Sequence, residues 1–292
     1  MIIVPGPASE QLGLRVAEQL GVGAVSVDYR RFPDGESYIR YTGSVAGEDV
    51  AVIQTTGPPQ DTNLLQLFLL AKTAKDLGAK SVISVVPYLA YARQDKRFRD
   101  GEAISTKTIA GLIGAVCVDY FITLNIHNPE ILNEFGVPSK NLSAIPLLAE
   151  FLKKKGLKGA FSLAPDEGAL GMAKEADEVM GGGYGWLRKR RDRITGEIAV
   201  DRGAFDVGGM DAVVYDDIIS TGGTMAAAVK ILKDQGATRV YAACVHPLLV
   251  ANADERILNS GAEDIVGTDC VPSPFSVVSV APLIAKALRR VS

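Results

Sequence analysis

Residues 213–224, Val-Val-Tyr-Asp-Asp-Ile-Ile-Ser-Thr-Gly-Gly-Thr, constrain the chain more than any other segment. They read as an apolar strand ending in two acids, followed by a Ser/Thr/Gly turn that opens a helix. A strand passed to a helix through so short a turn belongs to an open α/β sheet, which binds ligands beyond the carboxyl ends of its strands. Gly222 and Gly223 let a ligand approach the backbone, and successive N–H groups at a helix N-terminus attract a phosphate. The hydroxyls of Ser220, Thr221 and Thr224 are further donors. Asp216 and Asp217 would repel that phosphate, so they suit sugar hydroxyls or a metal-bound water. The plainer alternative is a glycine turn with an acidic entry to a helix.

The same alternation runs along the whole chain. Short β-branched runs at 2–4, 50–53, 82–86, 118–123, 160–163, 212–215 and 239–244 read as strands. Segments 9–20, 61–77, 147–155, 223–235 and 251–259 have helical spacing, and Gly21 and Gly78 stand where the first two should stop. With 292 residues and about 150 per domain, two domains are expected, divided near 140. Between 181 and 209 the pattern breaks into glycines around a basic cluster, which predicts a mobile excursion from the second sheet.

Charge and cysteine usage exclude several functions. The 31 Lys and Arg against 34 Asp and Glu give a net charge of -3, far from the basic balance of a nucleic-acid binder. Three cysteines, Cys117, Cys244 and Cys270, form no CxxC pair, so neither a disulfide framework nor a thiolate zinc site is expected. Reduced thiols fit a cytoplasmic protein. No apolar run approaches the ~18 residues of a membrane span, and no basic-then-apolar leader opens the sequence. No membrane association is expected. There is no Gly-Lys pair for a Walker loop and no GxGxxG.

Four other segments carry chemistry. Phe32 offers a ring for stacking a base, and Asp34 and Glu36 offer acceptors to its amine, while Pro33, Asp34 and Gly35 also make a hairpin turn. Arg93 and Gln94 follow the strand 82–86 at its carboxyl end, where a guanidinium suits phosphate and an amide suits a base or sugar edge; a solvated surface arginine is the alternative. Asp166 leaves the strand 160–163 at a tight turn, as a helix N-cap or a metal ligand. Residues 188–193 hold five cations in six positions, as a solvated face, a nucleic-acid patch or a loop that closes over substrate. His127 follows a strand end, where a lone histidine is more often a satisfied loop residue than a ligand.

The 213–224 segment resembles the phosphoribosyl-diphosphate signature of the type I phosphoribosyltransferase fold. The motifs at 31–36, 87–96, 164–168 and 213–224 occur in the order seen in the ribose-phosphate diphosphokinase family, and the chain is closest to its archaeal type. That resemblance implies an α/β fold of two tandem type I phosphoribosyltransferase-like domains, each with a mostly parallel sheet flanked by helices. The first domain would span 1–140, joined by 280–292, and the second, catalytic one 141–279. It implies transfer of a diphosphate from ATP to ribose 5-phosphate, with Mg2+ as cofactor, for nucleotide biosynthesis. Asp34, Gly35, Glu36, Arg93 and Gln94 take the ATP positions. Arg191, Asp216, Ser220, Thr221, Gly222, Gly223 and Thr224 take the ribose 5-phosphate positions. Lys189 takes the position of the catalytic lysine, and His127 and Asp166 those of the metal ligands. The family presents its ATP loop to a neighbouring subunit, so a homo-oligomer of at least two chains is expected.

Three departures bear on these assignments. Asn125 stands where the family often has an acid, Ser220 stands where its phosphate loop commonly begins with one, and the additional Arg188, Arg190 and Arg193 leave the lysine register open by one position. A phosphoribosyltransferase that consumes the diphosphorylated sugar, or a non-catalytic regulatory relative, would share residues 216–224.

Overall fold

The computed structural model describes residues 1–116, 118–191, 198–201 and 206–291, with the side chains of 188–191 and 198–201 outside that description. The chain folds as two compact units, Met1–Ser143 with Ser279–Ser292 and Ala144–Val278.

The first unit is built on β1 (Ile2–Pro5), α1 (Glu10–Leu20), the hairpin β2 (Val27–Arg31) and β3 (Ser37–Tyr41), β4 (Asp49–Ile53), α2 (Gln60–Asp76), β5 (Ser81–Val86), α3 (Ser105–Ala115), β6 (Tyr120–Leu124) and β7 (Ser139–Leu142). Five strands form a parallel sheet in the order β1-β4-β5-β6-β7. Helix α1 buries Leu12, Gly13, Val16 and Ala17, the three-and-four spacing that marks it in the sequence. Gly21 stops it with φ 70 while its N–H closes on the Ala17 and Glu18 carbonyls. The C-terminal helix Ala281–Leu288 packs on α1, and Arg289 donates to the Gln19 carbonyl at 2.6 Å. The core runs through Val50, Val52, Leu67, Leu70, Val82 and Phe121, with Phe121 stacked on Phe135 at 4.0 Å.

The hairpin stands apart from this sheet. Its strands pair antiparallel from Val27 with Tyr41 to Arg31 with Ser37, and the buried Tyr41 hydroxyl donates to the Leu70 carbonyl of α2 at 2.8 Å. That bond anchors the hairpin's base, while the turn at 32–36 lies exposed.

The second unit holds α4 (Ile145–Leu152), β8 (Phe161–Ala164), α5 (Leu170–Met180), β9 (Tyr184–Trp186), β10 (Arg188–Arg191), β11 (Ile198–Asp201), β12 (Ala212–Ile219), α6 (Gly223–Asp234), β13 (Val240–Pro247), α7 (Ala253–Asn259), β14 (Asp264–Thr268) and β15 (Ser276–Val278). Its sheet is parallel throughout, in the order β15-β14-β13-β12-β8-β9. Leu163, Val214, Val229, Leu232, Val240 and Ala242 form its core. Both units are therefore α/β layers with parallel sheets flanked by helices.

Several elements differ from the sequence expectation. The strand expected at 212–215 continues to Ile219, because Asp216 pairs with Cys244 and Ile218 with His246 on a β13 that itself runs to Pro247. Each acid accepts the N–H of the residue after it, Asp216 from Asp217 at 2.9 Å and Asp217 from Ile218 at 2.8 Å, which lets the ladder carry them. Within the expected excursion, Tyr184–Trp186 adds to the sheet beside β8, and Arg188–Arg191 pairs antiparallel with Ile198–Asp201. Among the described residues no helix is long and apolar enough to cross a membrane.

Candidate active site

In the second unit the functional side chains lie along the carboxyl edge of the sheet. Strands β8 and β12 are neighbours, with Leu163 opposite Val214, so Asp166, just past the end of β8, lies beside the part of β12 that carries Asp216. The Asp216 carboxyl is held well above the usual carboxylate range, first by burial, then by Asp217 and by the charge of Asp166. Three acids thus share one edge. Asp166 has extended backbone and makes no capping hydrogen bond to the short 3-10 turn Glu167–Ala169, so the N-cap reading does not account for its carboxylate.

The turn at 220–224 follows directly. Gly222 takes φ 75, a left-handed conformation, and a Cβ there would stand 2.9 Å from the Ala253 carbonyl oxygen. Only glycine fits. The carbonyls of Ile219, Ser220, Thr221 and Gly222 all have donors, from Leu249, Val250, Arg256 and Ala226 respectively. By contrast, among the described residues the N–H groups of Thr221, Gly222, Gly223 and Thr224 meet no acceptor. Thr221, Gly223 and Thr224 are exposed. Such a row of N–H groups without protein acceptors at the start of α6, twelve residues long, has the donors that an anion would need.

The basic cluster reaches the same edge through the chain path. Strand β9 pairs with β8 through Ala164 opposite Trp186, and the Leu187 N–H donates to the Ala164 carbonyl at 3.1 Å. Lys189 and Arg191 follow within five residues of Trp186, on β10. Their side chains, together with Asp192 and Arg193, lie outside the described residues.

In the first unit the loops after β4, β5 and β6 are tied to one another. The Thr56 hydroxyl donates to the Tyr88 carbonyl at 2.7 Å and accepts the Ala90 N–H at 2.7 Å. Arg93 is exposed, and Gln94 is braced through its carbonyl by the Thr106 hydroxyl at 3.1 Å and through its side chain by the Lys96 carbonyl at 3.2 Å. Asn128, next to His127, donates to Asp95 at 2.8 Å, which links the Arg93 loop to the His127 loop. His127 is exposed, and Asn125 takes φ 37, a conformation that Asn adopts more readily than most residues. These cross-links carry no local sequence signal.

The hairpin turn takes the form read from Pro33, Asp34 and Gly35. The Phe32 N–H donates to the Glu36 carbonyl at 2.9 Å, the Gly35 N–H to the Phe32 carbonyl at 2.9 Å, and Gly35 has φ 97. Asp34 accepts the Glu36 N–H at 3.2 Å. The Arg30 guanidinium lies 4.5 Å from the Tyr38 ring centroid and 5.4 Å from that of Phe32, and the two rings meet edge to face at 5.8 Å. An exposed aromatic flanked by carboxylates suits the face and amine edge of a base.

Comparison with known proteins gives the family. Residues 1–116 match the family described as the N-terminal domain of ribose phosphate pyrophosphokinase, and residues 202–292 match the phosphoribosyl synthetase-associated domain. The chain is 43% identical to a ribose-phosphate pyrophosphokinase of Methanobrevibacter smithii, covering 99% of this chain and 100% of that one. Its identity to the protein of the same name from Methanopyrus kandleri is 41%, over 100% of both. Among solved structures it is similar to the phosphoribosylpyrophosphate synthetase of Mycobacterium smegmatis, with TM-score 0.88 and 29% identity over 99% of this chain and 98% of that one.

The raised pKa of Asp216 has a consequence for stability. Its folded-state pKa exceeds the unfolded value of about 3.9, so ionising it in the ligand-free protein opposes folding above that raised pKa. Asp216→Asn removes this penalty. The ligand-free variant should melt higher than wild type at pH 8, with the gap closing as pH falls through the raised pKa and vanishing below about pH 4. Thermal melts across that range check it, and a gap that widens on acidification contradicts it.

Proposed function

The chain belongs to the ribose-phosphate pyrophosphokinase family and is an enzyme of 5-phosphoribosyl 1-diphosphate synthesis, and on that premise we propose how its residues divide the work. The turn at 220–224 binds the 5-phosphate of ribose 5-phosphate, and Asp216 accepts hydrogen bonds from the sugar hydroxyls. One observation carries this reading: the turn spends its carbonyls on the protein and leaves its N–H groups without protein acceptors, beside a carboxylate. A phosphate and a sugar joined as in ribose 5-phosphate match that pair of donors and acceptors.

ATP is the second substrate. Its base stacks on Phe32 and meets Asp34, Gly35 and Glu36, while Arg93 and Gln94 take its phosphate and sugar. The ribose 1-hydroxyl attacks the β-phosphorus in line, the bond from that phosphorus to the α,β-bridging oxygen breaks, and AMP leaves. Positioning and charge stabilisation dominate the barrier to such a transfer. Lys189 and Arg191 stabilise the charge that develops on the transferring group.

Magnesium fits the residues present. Mg2+ takes one or two carboxylates and fills its remaining positions with water and substrate phosphates, so it needs no dedicated protein cage. No cluster of three or more His, Cys, Asp or Glu suited to a metal occurs among the described residues, whereas Asp166 stands at an edge crowded with negative charge. Asp166 and His127 are each proposed as a protein contact for Mg2+, which when bound would neutralise phosphate oxygens. Buried Cys244 and Cys270 thiols fit the reducing cytoplasm.

The assay is AMP release from ATP. It should require both ribose 5-phosphate and Mg2+, and Lys189→Ala should lower kcat by about 10² with little change in KM for ribose 5-phosphate. AMP release that ignores ribose 5-phosphate, or a Lys189→Ala enzyme with near-normal turnover, would contradict the assignment. The chain is further proposed to act as a dimer or larger homo-oligomer in which the 32–36 turn serves a neighbour's site. Mixing Lys189→Ala with Glu36→Ala subunits should then restore up to about a quarter of wild-type activity, since mixed dimers regain one intact site. No recovery after verified subunit exchange argues against sharing.

A further inference from the structure

The four carbonyls along the turn after β12 have different kinds of donor. Those of Ile219 and Ser220 accept from the Leu249 and Val250 N–H groups, each at 3.0 Å, and that of Gly222 accepts from the Ala226 N–H at 2.8 Å, opening α6. The Thr221 carbonyl differs from these three, because its donor is a side chain, the Arg256 guanidinium from α7. The same guanidinium also donates to the Ala251 carbonyl at 3.4 Å. Arg256 therefore ties the turn to the strap at 248–252.

That strap is held in an unfavourable conformation. Leu249, Ala251 and Asn252 have φ of 46, 55 and 56, and none is a glycine. Left-handed conformations disfavour side chains other than Gly and Asn, and they persist only where the surroundings over-determine them. Here the surroundings are the turn itself, since Ala253 at the end of the strap stands against Gly222.

A peptide unit is planar, with its N–H directed opposite its C=O. Pinning the Thr221 carbonyl therefore sets the direction of the Gly222 N–H. This peptide is also easier to rotate than one between two substituted residues, because it precedes a glycine whose backbone is permissive. We infer that Arg256 is a positioning residue for the reaction: by gripping the Thr221 carbonyl it fixes the peptide that joins Thr221 to Gly222 and aims the Gly222 N–H at the substrate phosphate. The positive guanidinium polarises that peptide as well, which strengthens the N–H as a donor. The inference rests on the reading of 220–224 as the ribose 5-phosphate turn. Arg256 is exposed and borders an open groove with Ala226, Asn252 and Glu255, so a small guanidine added in solution can reach its place.

The test compares Arg256→Ala, Arg256→Lys and Thr224→Val in the complete enzyme. Arg256→Ala should raise KM for ribose 5-phosphate about tenfold while leaving KM for ATP unchanged, as expected for loss of a charged hydrogen bond that acts on one substrate. Arg256→Lys should fall between the two, and added methylguanidinium should restore part of the affinity to Arg256→Ala. Thr224→Val probes the turn directly. If Thr224→Val raises KM for ribose 5-phosphate and a folded Arg256→Ala does not, the positioning role is wrong and the reading of the turn stands. If neither variant changes it, the reading of the turn fails. An Arg256→Ala enzyme that loses affinity for both substrates alike, without recovery in methylguanidinium, overturns the inference in favour of a general structural role. Should Arg256→Ala fail to fold, Arg256→Lys carries the same comparison.

Discussion

A turn can offer its N–H groups to a phosphate only if its carbonyls are satisfied elsewhere. A buried carbonyl left without a donor costs about 1–3 kcal/mol, and a turn with several would rearrange. Around residues 219–222 each carbonyl has its own donor, drawn from the strap after β13, from α6 and from α7. Much of the second unit follows from that requirement. Strands β12 and β13 run past their apolar stretches to Ile219 and Pro247, which brings the strap alongside the turn. The strap accepts left-handed φ at three residues, and Gly222 accepts contact with Ala253.

The same edge gathers three acids. Asp166, Asp216 and Asp217 stand together, and burial with mutual repulsion raises the Asp216 pKa. In a structure selected only for stability such a group would be replaced by a neutral one. Its presence next to the proposed phosphate turn makes sense if the ligand brings hydroxyl donors for the acid and phosphate for the turn. A cation bound with the substrate would relieve the repulsion further. Stability surrendered at this edge is, on the proposed function, recovered in binding.

What the sequence makes legible and what it hides separate along a physical line. Local signals suffice for the strand-turn-helix at 212–224, for α1 with its stop at Gly21, and for the 32–36 turn, because glycines, caps and periodicity act between near neighbours. The extension of β12 through two acids is not legible, since it depends on a partner strand and on side-chain bonds to the backbone. Helix α3 is equally hidden, with two glycines inside it, one of which, Gly114, packs so close to the Phe135 carbonyl that a Cβ would stand 2.3 Å from its oxygen. Helix α7 begins at Ala253 and not at 251, because Ala251 and Asn252 are left-handed without a glycine to announce it. In the candidate site the residues proposed to face a ligand belong to recognisable motifs. Several residues that hold them, such as Arg256 on the 220–224 turn and Thr106 on Gln94, come from elsewhere in the chain and leave no local trace.

The central claim is that the N–H groups of 221–224 receive the sugar phosphate. A crystal structure of the complete enzyme with ribose 5-phosphate tests it most directly. The account predicts phosphate oxygens about 2.7–3.2 Å from the N–H nitrogens of this turn, with the Thr221 carbonyl still on Arg256 and the ribose hydroxyls on Asp216. A phosphate bound elsewhere, with these N–H groups on water or turned away, would contradict it.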